Sequence, residues 1–82
     1  MIEIRYLGSL REKIGKKNEC IFARSISDVL KYIKKTYSKD IYLLTRSMII
    51  TVNGSDIRLL KGMKTELLDN YVVSFYPPAA GG

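Results

Sequence analysis

Histidine and tryptophan are absent from this 82-residue sequence, and cysteine occurs once, at Cys20. Without histidine there is no imidazole to act as general base, no His-dependent triad and none of the commonest metal ligand. One cysteine can form neither an internal disulfide nor a zinc cluster. Stability must therefore come from packing, and the chain suits a reducing compartment. No apolar run approaches the roughly 20 residues that span a membrane. The opening Met1-Ile2-Glu3-Ile4-Arg5 lacks the basic-then-apolar order of a signal peptide, so a cytoplasmic location is expected. The carboxylates Glu3, Glu12, Glu19, Asp28, Asp40, Asp56, Glu66 and Asp69 are scattered and form no evident acid–base pair. Asp28 reads as a helix-start residue, and Cys20 as a small apolar strand residue, since nothing nearby activates its thiol.

What remains is the composition of one small globular domain, 46% hydrophobic and 27% charged. Fourteen Lys and Arg stand against eight Asp and Glu, a formal charge of +6. Such a balance raises the question of nucleic-acid binding. The cations are spread over nearly every segment, however, and there is no RNA-recognition aromatic signature or zinc-finger spacing. Nucleic acid is therefore not the expected partner; part of the charge is expected to face an acidic protein and speed association.

The chain opens with period-two alternation: Ile2, Ile4 and Tyr6 on one side, Glu3 and Arg5 on the other, a strand with one buried face. Gly8-Ser9 breaks it, residues 10–14 suit a single helical turn or a loop, and residues 15–18 a turn. Residues 19–23 predict a second strand pairing back on the first, with Cys20 and Phe22 on one face and Ile21 on the other. Residues 25–38 form the clearest helix. Ser25 caps it, Asp28 completes a capping-box-like start, and Ile26, Val29, Leu30, Ile33 and Tyr37 make a single apolar stripe. Residues 48–52 read as a strand closed by the Asn53-Gly54 turn. Residues 56–60 are expected to return as a short strand, Leu67 and Leu68 to plug the core from an irregular segment, and residues 71–76 to form the last strand. In that strand Tyr71, Val73 and Phe75 share one face and Val72, Ser74 and Tyr76 the other. The order implies an α+β fold: one mixed sheet of four to five strands with one main helix packed across one face.

The informative end is Phe75-Tyr76-Pro77-Pro78-Ala79-Ala80-Gly81-Gly82. Two prolines stop the strand and favour a stiff, extended exit. Small residues follow, down to Gly-Gly. Residues 77–82 would reach about 20 Å when extended, against a radius of gyration of about 12 Å expected for the body. Such a tail could pass through a narrow channel and present a terminal carboxylate deep inside another protein. The chain thus divides into a body, residues 1–76, and a tail, residues 77–82.

These residues resemble the small, ubiquitin-like sulfur carriers, specifically the small subunit of molybdopterin synthase. The tail is close to that family's aromatic-aromatic-Pro-Pro-x-x-Gly-Gly ending. Ile2-Glu3-Ile4-Arg5-Tyr6-Leu7 with Ser9-Leu10-Arg11-Glu12 matches its opening, and Ile50-Thr51-Val52-Asn53-Gly54 its Val-Asn-Gly strand end. The resemblance implies a ubiquitin-like β-grasp fold and a non-catalytic small subunit of a sulfurtransferase. In that family an ATP-dependent, ubiquitin-activating-type enzyme adenylates the terminal glycine, here Gly82. A sulfur donor then converts it to a thiocarboxylate, and the large synthase subunit receives the tail and passes the sulfur to a pterin precursor. The resemblance implies Gly82 as reacting group, Gly81, Ala80, Ala79, Pro78 and Pro77 as partner-binding tail, and Phe75 and Tyr76 as partner surface. It implies no metal or cofactor on this chain and ATP on the activating partner. Other members of the superfamily are protein modifiers, or carry sulfur for thiamin or tRNA thiolation, with the same kind of tail. The sequence departs from the family pattern at Asp69-Asn70-Tyr71, where an Asp-Gly-Asp-like turn is usual, and asparagine there must take the left-handed conformation. Residues 60–64 look longer than usual, and the positive charge is atypical.

Overall fold

The computed structural model describes residues 1–78. Five strands form one mixed sheet: β1 (Ile2–Tyr6), β2 (Asn18–Ile21), β3 (Ile49–Val52), β4 (Ser55–Asp56) and β5 (Val72–Tyr76). Their spatial order is β2-β1-β5-β3-β4. The central pair, β1 and β5, is parallel, with Tyr6 beside Phe75; the other pairs are antiparallel. The radius of gyration is 11.6 Å, close to the value expected from length alone.

Alternation along the strands decides which face is buried. Ile2, Ile4, Tyr6, Ile21, Val73 and Phe75 turn toward the helices and form one core with the stripe of the main helix. That helix, α2 (Ile26–Thr36), begins as the sequence implies: the Ser25 hydroxyl accepts from the Asp28 N–H at 3.2 Å, and the Asp28 carboxylate accepts from the Arg24 N–H at 3.0 Å. Ile26, Val29, Leu30 and Ile33 are buried, whereas Lys31, Lys34 and Lys35 face water.

Two further helices exceed the sequence reading. Residues 10–14 belong to a two-turn helix, α1 (Gly8–Ile14), which buries Leu10 and is closed by Gly15 in the left-handed conformation. Residues 39–46 form α3 (Lys39–Arg46). Ser38 was expected near the end of α2; instead α2 stops at Thr36, and the Ser38 hydroxyl caps the next helix by accepting from the Ile41 N–H at 3.1 Å. The expected strand over residues 56–60 shrinks to β4. The Asp56 carboxylate accepts from the Arg58 N–H at 2.9 Å, and this turns the chain into a 3-10 turn over Ile57–Leu59, with a second over Gly62–Lys64. Of the two expected plugs, Leu67 is buried. Leu68 is 60% exposed, because Leu67 is tied inward by its N–H bond to the Arg24 carbonyl and its neighbour is thereby turned out. Asn53 and Asn70 both hold positive φ, 50° and 68°, as their turns require.

One polar cluster lies inside this frame. Glu19, on the helix-facing side of β2, accepts hydroxyl bonds from Tyr6 of β1 at 2.6 Å, Tyr32 of α2 at 2.7 Å and Tyr37 at 2.5 Å, with the Lys16 ammonium at 3.4 Å. Burial works to raise the Glu19 pKa, but the bonds from Tyr37, Tyr6 and Tyr32 outweigh it and hold the carboxyl below its ordinary 4.5. Burial and the bond to Glu19 push the Tyr6 and Tyr37 hydroxyls upward from 10.0. A depressed carboxyl stabilises the fold above its unfolded pKa and loses that contribution as pH falls through the folded one; a raised tyrosine stabilises below its unfolded pKa and loses it as pH rises. The cluster therefore contributes fully between about pH 4.5 and pH 10. Glu19→Gln is expected to cost about 1.5–3 kcal/mol at pH 7. It should also flatten the acid-side fall in stability, as read by urea denaturation at pH 7 and pH 3.5.

The strand end and the root of the tail

Strand β5 lies between β1 and β3 at the centre of the sheet, so its backbone is hydrogen-bonded on both sides. Phe75 is fully buried, its ring stacked on Tyr6 with centroids 6.1 Å apart and planes 22° from parallel. This corrects the expectation that Phe75 belongs to a partner surface: it is a core residue, and no partner can touch its side chain in this fold. Tyr76 points to the other side of the sheet, opposite Ile49, and is 42% exposed. Of the two aromatics only Tyr76 is presented.

Pro77 and Pro78 follow, both exposed. Pro77 sits against Gly8 at the start of α1, where an added Cβ would stand 3.5 Å from its Cγ. Gly8 has φ +62°, a conformation natural to glycine, so the turn from β1 into α1 and the first tail residue meet without a side chain between them. The sequence shows Gly8 as a strand breaker but not as the seat of Pro77, since the two are far apart along the chain. Ala79, Ala80, Gly81 and Gly82 lie outside the described residues.

The sheet face turned away from the helices carries Glu3 and Arg5, joined at 2.9 Å, together with Cys20, Val72, Ser74 and Tyr76. Cys20 is exposed there, so it is not a packing residue. Among the described residues no group of three or more His, Cys, Asp or Glu is placed to hold a metal ion, and no helix is long and apolar enough to cross a membrane.

The two faces of β5 predict different costs. Phe75→Ala should lose about 3–5 kcal/mol, and Tyr76→Ala no more than about 1 kcal/mol, both read by urea denaturation. An equally stable Phe75→Ala protein would place that ring outside the core.

Comparison with known proteins agrees with this geometry. The sequence model of the ThiS family matches residues 4–82. The chain is 30% identical over 92 aligned positions to small archaeal modifier protein 3 of Haloferax volcanii, covering 99% of this chain and 98% of that protein. The solution structure of small archaeal modifier protein 1 from Methanosarcina acetivorans superposes with a TM-score of 0.86 at 26% identity, covering 99% of this chain and 95% of that one. A chain from the complex of subunits 1 and 2 of the molybdopterin-converting factor of Helicobacter pylori superposes with a TM-score of 0.72 at 21% identity, covering 99% and 97%, and shares the fold. With a ubiquitin-like β-grasp body and a family match that runs through the tail, the chain belongs to the ThiS family of ubiquitin-like sulfur carriers.

Proposed function

We propose that the carboxylate of Gly82 is the reacting group, and that the chain carries sulfur as a Gly82 thiocarboxylate to a pterin precursor, as the small subunit of a molybdopterin synthase. The observation that carries this reading is the exit of the tail. The last strand is paired on both sides at the centre of the sheet, its final residue is Tyr76, and Pro77 and Pro78 follow exposed, with Pro77 against Gly8. The body is thus a handle and the tail the reagent. The Phe75-Tyr76-Pro77-Pro78 sequence supports the pterin branch over the thiamin branch.

The chemistry is supplied by partners. A carboxylate is a poor electrophile, since its charge repels nucleophiles and it has no good leaving group. On an adenylating enzyme of the ubiquitin-activating type, a Gly82 carboxylate oxygen attacks the α-phosphorus of ATP, and pyrophosphate leaves. Sulfide-level sulfur (HS⁻) supplied by the donor then attacks the carbonyl carbon: the C–S bond forms, the bond to AMP breaks, AMP leaves, and Gly82 becomes a thiocarboxylate. The tail next enters the large synthase subunit, where its sulfur passes to the precursor and water restores the carboxylate. This chain contributes reach, stiffness and a narrow cross-section, with no acid or base of its own.

A second reading has a specific observation behind it. The 30% identity to small archaeal modifier protein 3 extends over nearly the whole of both chains. A protein modifier would share the acyl-adenylate step and differ in the nucleophile, a lysine amine that forms an isopeptide bond.

Reconstitution with the host's adenylating enzyme, sulfur donor and large subunit tests the first reading. Deleting Gly82, or adding one residue after it, should abolish sulfur transfer and leave the fold intact. Gly81→Leu should lose transfer with an unchanged melting temperature. Sustained pterin conversion by the truncated protein would contradict the proposal. Isopeptide adducts on other host proteins, without pterin conversion, would establish the modifier in its place.

A further inference from the structure

Beside the root of the tail lies a groove of about 590 Å³ that the tail chemistry leaves unused. Its apolar lining comes from Leu30 of α2, Met48 and Ile50 at β3, Ile57, and Met63, with Pro78 along one side. Met63 is 42% exposed, and methionine adapts readily to a partner's shape. The two charged rims differ. On one, Arg58 is tied to the Asp56 carboxylate at 2.6 Å, so its charge is largely answered. On the other, Arg46 closes α3 with no carboxylate partner among the described residues. Its guanidinium lies 6.0 Å from the centre of the Tyr42 ring, and the Lys34 ammonium lies 5.2 Å from the same ring. The groove thus carries at its α3 rim one cation without a counter-ion among the described residues, and a second cation, Lys34, shares the Tyr42 ring behind it.

That combination selects its occupant. A second copy of this chain would bring another +6 charge against a cationic rim. A nucleic acid would find an aliphatic lining with no aromatic face to stack on. A protein segment with an apolar anchor flanked by a carboxylate meets both demands: the anchor fills the lining, and the carboxylate answers Arg46. Pro78 is one wall, so the groove adjoins the root of the tail that the activating partner must take hold of. Whether the tail goes on to a pterin precursor or to a lysine, it must first meet the adenylating enzyme.

We infer that this groove docks an acidic, apolar-anchored segment of the adenylating enzyme that activates Gly82. The inference rests on the reading of Gly82 as the activated group. Contact at the groove is made equally before and during adenylation, so it governs the affinity of the carrier rather than the chemical step.

The test is ATP–pyrophosphate exchange by the adenylating enzyme of the same host, with this chain as the varied substrate. Arg46→Glu and, separately, Met63→Glu should each raise KM roughly tenfold, with kcat held within about twofold. Arg46→Lys should restore most of the affinity, and the KM of the unaltered chain should rise with salt more steeply than that of Arg46→Glu. Both substituted residues are exposed or partly so, and melting curves check that each variant folds. Unchanged KM in both variants, with the unaltered chain active, would overturn the groove and leave the Gly82 reading standing. A fall in kcat at constant KM would also overturn it. No exchange with the unaltered chain would overturn the Gly82 reading and the groove with it.

Discussion

The parallel pairing of β1 with β5 at the centre of the sheet is the constraint on which the rest of the structure depends. Parallel neighbours cannot be joined by a tight turn. The chain between Tyr6 and Val72 must therefore travel from one end of the central pair back to the other, and on the way it covers one face with helices and adds β2, β3 and β4 to the flanks of the sheet. The three helices and the two 3-10 turns are the parts of that path that lie off the sheet. Placing β5 between β1 and β3 gives the last strand hydrogen-bonding partners on both sides, and the Tyr6–Phe75 stack fixes its end. The tail consequently starts from the central strand, next to the turn that follows β1. That placement allows a strand ending to act as the mount for a reagent.

Glu19 shows how a small domain secures a helix against an edge strand. At the end of α2, Tyr32 and Tyr37 pack against the core but are only partly buried. Their hydroxyls and that of Tyr6 converge on one carboxylate, joining β2, β1 and the end of α2. Burying the charge costs free energy, and the hydroxyl bonds outweigh that cost, as the depressed Glu19 pKa records. The cluster also consumes a negative charge that would otherwise face solvent. Asp28 and Asp56 are similarly occupied, by the start of α2 and by Arg58, and Glu3 pairs with Arg5. The lysines of α2 stay outward. The basic surface thus follows from the excess of cations, with Glu19 turned into its tyrosine cluster.

Features with local causes were legible in the sequence. The stripe from Ile26 to Ile33 with its Ser25 cap gave α2, alternation gave β1 and β5, and Asn53-Gly54 gave the hairpin turn. Helix α3 was hidden because Ser38 sits where one helix stops and the next begins, and a cap residue does not reveal which helix it serves. Strand β4 was overestimated because the apolar run after Asp56 conceals that its carboxylate turns the chain. The family resemblance carries both Phe75 and Tyr76 to a partner surface, whereas the strand period turns them to opposite faces, so only Tyr76 is presented. The Glu19 cluster, the Gly8–Pro77 contact and the Arg46 rim depend on tertiary proximity between distant positions, and no spacing in a single sequence carries that. The tail stood out because its chemistry is local and needs no partner within the chain.

The most direct measurement is the mass of the C-terminal peptide from the protein isolated from its native host, with and without the gene for the adenylating enzyme. A Gly82 carrier should show sulfur in place of one carboxyl oxygen at Gly82 when that enzyme is present, and an unmodified carboxylate when it is absent. A carboxylate in both strains, or a peptide that continues beyond Gly82 in the mature protein, would contradict the central claim.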